Sequence, residues 1–189
     1  ALLERAIEHE GMNFMAVAPY LATGNRSNVV GMWQYVADRP PMRRTFVAII
    51  DGGFWLDVMG RPMSAVMPAI LDLPAMPIQY DFINDDRIAD GENAARCTGG
   101  GECPWHGNGA AGVAVGTFDN GYGGAGTGGQ VADPMLFSTS LDWGQVSRAI
   151  RTAVAWRADV ISMSFSANCD NAFCDLFFEA NLYPALRNA

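Results

Sequence analysis

An acidic residue, Asp51, directly follows the unbroken apolar run Phe46-Val47-Ala48-Ile49-Ile50, and one of only two histidines, His106, opens a stretch of small residues running to Gly116. The chemistry open to these two side chains is proton transfer. An imidazole takes and returns protons near neutral pH, and a carboxylate can hold its tautomer and stabilise its cation. Asp51 would also lie at the carboxyl edge of a strand, where open α/β sheets place ligands and catalytic groups. Each residue alone has a plainer reading: Asp51-Gly52 is a turn dipeptide, and His106 is a surface histidine or a helix cap. The other histidine, His9, stands between Glu8 and Glu10 and reads as solvated.

Several other chemistries drop out at once. All twelve basic residues are Arg, and without Lys there is neither a Walker A phosphate loop nor a Schiff base. His-Glu-x-x-His, Gly-x-Ser-x-Gly and EF-hand motifs are missing, which argues against metalloprotease and α/β-hydrolase sites. Gly121-Tyr122-Gly123-Gly124-Ala125-Gly126 matches the dinucleotide fingerprint by letter, but no strand precedes it and no helix follows, so a flexible loop is the better reading. A nucleotide-binding α/β domain is thereby the weakest rival. A formal charge of −8 with scattered Arg is a poor footprint for nucleic acid.

The four cysteines fall in two close pairs, Cys97 with Cys103 and Cys169 with Cys174. Neither pair has the spacing of a zinc knuckle and His is scarce, so two disulfides are favoured over a metal site, and with them a secreted or extracellular location, the periplasm included. Each would contribute roughly 2 kcal/mol in the chain-entropy picture. Asn25-Arg26-Ser27 has the form of a glycosylation sequon, and a start at Ala1 without Met fits a processed or trimmed product.

With 189 residues, half of them hydrophobic, the chain suits one compact domain, and no apolar run is long enough to span a bilayer. Leu2 to Glu10 reads as a helix, and Asn28 caps a second one through Tyr35. Thr45 to Ile50 lacks polar alternation, as expected of a parallel strand buried on both faces. A Pro- and Met-rich excursion from Gly60 to Pro77 leads to a short strand near Ile78 to Ile83. The small residues beyond His106 predict a closely packed helix, and a Gly-rich loop to Gly129 precedes a strand around Gln130 to Phe137. Asp142 or Trp143 begins an amphipathic helix that feeds a second buried strand, Asp159 to Ser164, and a last helix is read from about Cys174 to Arg187. Alternating strands and helices specify an α/β fold with a parallel sheet.

Four of these segments stand in a familiar order: Phe46-Val47-Ala48-Ile49-Ile50-Asp51-Gly52-Gly53, Tyr80-Asp81-Phe82-Ile83-Asn84-Asp85, His106-Gly107-Asn108-Gly109-Ala110-Ala111-Gly112, and Asp159-Val160-Ile161-Ser162-Met163-Ser164. From about residue 45 to 166 the chain resembles the subtilisin-like serine proteases. The resemblance implies a three-layer fold with a mostly parallel central sheet flanked by helices, incomplete in this chain. It implies that Asp51 is the triad acid and His106 the general base of a secreted endopeptidase. It further implies that Ser164-Phe165-Ser166 pairs with an extended peptide substrate, a mode in which main-chain bonds supply affinity. Residues 45–189 would be the amino-terminal part of the catalytic domain, and residues 1–44 an amino-terminal extension or the remnant of a pro-segment.

The chain departs from the family pattern at several places. No Gly-Thr-Ser nucleophile block occurs; Ser138-Thr139-Ser140 is its nearest imitation, between His106 and the Asp159 strand. The nucleophile and the oxyanion-hole residue are expected downstream of Ala189, and the carboxy-terminal segment is the expected partner, with a peptide or protein as substrate. Gly52, Asn108 and Gly109 replace residues the family usually has, although none removes a proton-transfer group. No cofactor is required. Phe118-Asp119-Asn120 lies where many relatives bind structural calcium, but its two oxygen-bearing side chains are too few for a site of six to eight ligands. The alternative is a catalytically inactive relative serving as a binding or scaffold domain.

Overall fold

The computed structural model describes residues 29–54, 56, 77–90, 105–117, 125–129, 131–165, 176 and 178–189. The helix read at Leu2 to Glu10, the sequon at Asn25, most of the Gly60 to Pro77 excursion and all four cysteines lie outside the described residues. The described elements are α1 (Val29–Asp38), β1 (Thr45–Asp51), β2 (Ile78–Asp81), α2 (Trp105–Val115), β3 (Ala132–Ser138), α3 (Trp143–Ala155) and β4 (Val160–Met163), followed by a π-helical turn Phe178–Leu182 and α4 (Tyr183–Arg187). The fold is α/β, built on one four-stranded sheet in the order β2-β3-β1-β4 whose paired strands are all parallel.

Strand alternation sends side chains to two helical layers. On one face Val47, Ile49, Ala132 and Leu136 meet Ala111 and Val115 of α2. On the other, Ala48, Ile50, Met135 and Phe137 meet Val146, Ala149, Ile150 and Ala153 of α3, together with Leu182 and Ala185 near the C-terminus. A continuous apolar run is therefore what β1 requires, because both of its faces are covered. An aromatic group extends the second layer: Phe137 packs edge-on against Trp156 at 5.4 Å and against Phe82 at 5.7 Å.

Local signals explain where the helices begin and end. Asp142 caps α3 by accepting from the backbone N–H of Gln145 at 2.9 Å, while the Gln145 side chain accepts from Ser140 N–H at 2.8 Å. At the other end Arg157 adopts φ 63°, and the bonds Ala158 N to Ala153 O and Arg157 N to Val154 O close a Schellman turn. That turn directs the chain into β4, which the sequence presents as buried but which pairs only with β1 at the edge of the described sheet, leaving Val160 exposed and Ile161, Ser162 and Met163 half-buried. Helix α2 ends where Thr127 N–H and Gly128 N–H reach back to the carbonyls of Val113 and Ala114. Trp33 of α1, itself buried, donates through its indole N–H to Thr127 O at 3.1 Å, so α1 is anchored to the same turn.

The final helix lies where the sequence places it, with Leu176 and residues 178–187 helical among the described residues, but its backbone changes type along its length. Over Phe178–Leu182 the backbone is π-helical and over Tyr183–Arg187 it is α-helical, with Pro184 in the first turn of the latter; Pro lacks the N–H that a continuous α-helix would need there. The buried Ser147 hydroxyl ties this segment to α3 through Asn181 O at 2.8 Å.

Asp159 joins the start of β4 to the start of β1. Its carboxylate accepts both guanidinium nitrogens of Arg43, at 2.5 and 2.8 Å, and Phe46 N–H at 2.9 Å. These donors hold its pKa down at about 2, the Arg43 hydrogen bond contributing most. A depressed carboxyl adds stability above its unfolded pKa and loses it as the pH falls through the folded value. Asp159→Asn should therefore lower the melting temperature at pH 7, with the difference from wild type closing between about pH 4 and pH 2; melts across that range check it.

Candidate active site

The carboxyl edge of the sheet gathers Asp51, Asp81 and Ser138 at the ends of three neighbouring strands. Asp51 ends β1 on the face covered by α2, continuing the row of Val47 and Ile49, and its backbone carbonyl accepts Thr139 N–H at 2.9 Å. Gly53 follows with φ 143°, a conformation that disfavours any residue with a Cβ, and turns the chain towards Phe54. Phe54 is fully buried and held by its N–H to Ala89 O at 3.0 Å.

Helix α2 enters against this turn, and Gly107 permits the approach. A Cβ built at position 107 would stand 2.5 Å from Gly53 O and 2.7 Å from the Phe54 ring, inside any allowed contact. The helix backbone therefore rests on the strand-end backbone. His106, one residue earlier, is carried to Asp51: Nδ1 lies 2.9 Å from Oδ2 and 3.1 Å from Oδ1. The Asp51 side chain is only 6% exposed, whereas that of His106 is 56% exposed.

This asymmetry sets the chemistry. An ionised carboxylate only accepts hydrogen bonds, so Nδ1 carries the proton and Nε2 is left with its lone pair. In that tautomer the imidazole can act as a general base through Nε2 and a general acid afterwards. Burial pushes the Asp51 pKa above the ordinary carboxylate value; the charge and hydrogen bond of His106 and the Gly52 N–H, at 2.8 Å, pull against it. The pair is thus a desolvated acceptor holding a solvent-facing proton carrier.

The other residues singled out from the sequence are placed unevenly. Ser164 is exposed just beyond β4, Phe165 packs against the α3-side core, and Ser166 lies outside the described residues, as do residues 118–120 and Gly121–Gly124. Of the nucleophile imitation, Ser138 is buried at the end of β3, Thr139 accepts Leu141 N–H at 3.2 Å, and the Ser140 hydroxyl donates to Asp142. Among the described residues no serine hydroxyl makes a hydrogen bond to His106. Gly107 and Phe54 shape the site without having been picked out as individuals; the run of small residues after His106 was the available signal. Asn108, fully buried, sits in the same turn of α2.

Compared with protein-family models and with curated proteins, the chain matches none.

Gly107→Ala should separate α2 from the end of β1, lowering the melting temperature and removing the low-field Nδ1 proton signal of His106 in NMR spectra, because backbone on one side and a packed ring on the other leave a methyl no room. Asp51→Asn tests the electrostatics. A raised carboxyl pKa means that its contribution to stability is present below the unfolded pKa and is lost as the pH rises through the folded value. At pH 7 the Asn variant should therefore melt no lower than wild type, and thermal melts at pH 4 and pH 7 will show whether the variant gains on wild type as the pH rises.

Proposed function

We propose that this chain is the amino-terminal part of a subtilisin-like serine endopeptidase, secreted or extracellular, with Asp51 as triad acid and His106 as general base. The observation that carries the reading is the 2.9 Å contact from His106 Nδ1 to a buried Asp51 carboxylate, made at adjoining ends of a parallel strand and a helix, with Nε2 left free. The α/β architecture with helices on both sheet faces is of the kind the sequence resemblance implies.

In the proposed reaction a serine from the segment downstream of Ala189 attacks the scissile carbonyl. Its Oγ–H proton passes to His106 Nε2 as the new C–O bond forms. Asp51 keeps the ring oriented and stabilises the imidazolium, without taking the proton itself. The tetrahedral intermediate collapses, the C–N bond breaks, and Nε2 returns its proton to the leaving amine. Water then repeats the sequence on the acyl-enzyme. No cofactor enters. Ser164, Phe165 and Ser166 would pair with the extended substrate beside β4.

The test is covalent labelling of the full gene product with a fluorophosphonate. The reading expects one labelled serine, with labelling lost in His106→Ala and peptide hydrolysis reduced by roughly four orders of magnitude in Asp51→Asn, the scale seen when a triad histidine is held in the wrong tautomer. No labelling under any condition would replace the protease by a binding or scaffold domain of the same architecture.

A further inference from the structure

The carboxyl ends of β2, β3 and β1 carry Asp81, Ser138 and Asp51 side by side, since the register pairs Asp81 with Ser138 and Ser138 with Asp51. Register partners in a parallel sheet project to the same face. Leu136 and Ile49, two positions earlier, both pack on the α2 side, so the row faces α2. Ser138 is fully buried, and its Oγ meets no hydrogen-bond partner. A buried hydroxyl without an acceptor is costly and rare enough in folded proteins to need an explanation.

The two flanking carboxylates differ in what they can still accept. Asp81 is taken up by its own turn: Oδ1 accepts Ile83 N–H at 2.6 Å and Asn84 N–H at 3.1 Å, and Oδ2 accepts the Asn84 side-chain amide at 3.1 Å. Asp51 Oδ1 accepts Gly52 N–H, while Oδ2 accepts from His106 alone. Each carboxylate oxygen has about two acceptor directions, so Oδ2 of Asp51 has one to spare.

We propose that Ser138 is a positioning residue for the Asp51–His106 pair, its hydroxyl donating to Asp51 Oδ2 in the staggered rotamer that turns Oγ towards β1. Rotation of a serine between staggered wells is a small change, and the bond it makes is charge-assisted. The donor keeps the buried carboxylate ionised against the desolvation that favours its protonated form. It also fixes the plane in which the carboxylate meets Nδ1. The titratable groups that the strands and α2 bring to this edge are Asp51 from β1, Asp81 from β2 and His106 from α2, with Asp86 bridged to Asp81 in the following turn. Only the carboxylate–imidazole contact is needed for this role of Ser138, whether or not that pair activates a serine.

The experiment is an NMR titration of the full chain, following the side-chain carboxyl carbons of Asp51 and Asp81 and the ring carbon of His106 in wild type and Ser138→Ala. Removing a donor to the ionised form raises a carboxyl pKa. The Asp51 midpoint should rise by about one pH unit, the scale of one hydrogen bond to a charged group. The His106 midpoint should rise with it, because an unshared carboxylate holds the imidazolium more strongly, and Asp81 should be unmoved. An Asp51 midpoint at the wild-type pH, or a shift at Asp81 in place of Asp51, overturns the assignment. A hydroxyl that merely fills space would move none of the three.

Discussion

The site rests on one backbone-to-backbone contact, the seat of helix α2 on the turn that ends β1. At Gly107 there is no room for a side chain between the helix and Gly53 O, and the Phe54 ring closes the remaining space. Proteins are packed too densely to absorb a displaced helix locally, so this seat decides how far His106 stands from Asp51. The layers beneath make it rigid. Ala111 and Val115 lie on Val47, Ile49 and Leu136, and the turn at Thr127 and Gly128 takes up the last carbonyls of α2. Trp33 closes that turn from outside, so even the helix before β1 contributes to holding α2 in place.

Desolvation gives the contact its chemical character. A carboxylate at the end of a doubly covered strand has lost most of its water, and its compensation comes from the Gly52 N–H and His106. Such an arrangement costs stability at neutral pH and is tolerated where a proton must be held in a fixed direction. Asp159, at the opposite end of the sheet, shows the ordinary case: an accessible carboxylate with strong donors, its pKa lowered, tying two strands together. Two aspartates on one sheet thus have opposite pKa shifts because one is buried by a helix and the other is gripped by an arginine.

Much of the architecture was legible in the residues. β1 reads as a buried strand because its apolar run lacks alternation, and α3 as a helix because its apolar positions recur at helical spacing behind an Asp cap, whereas the similar run at β4 does not reveal that this strand ends the described sheet and stays half-exposed. The C-terminal helix was legible in extent but not in kind, since a periodic pattern does not reveal that the backbone widens to a π-turn before Pro184. The role of Ser138 was not legible at all. Within Ser138-Thr139-Ser140 the three hydroxyls look alike, and only the register of β3 between β2 and β1 separates the buried one from its neighbours.

The sequence by itself determined the layered α/β plan, the positions of its strands, and the two side chain types able to transfer a proton, because apolar periodicity and residue chemistry are local properties. Which face Asp51 takes, how near His106 comes to it and what lies beside it were decided by tertiary structure. Those quantities depend on strand order, register and the fit of one glycine against a distant carbonyl, and contacts between residues 55 positions apart leave no mark on either segment alone.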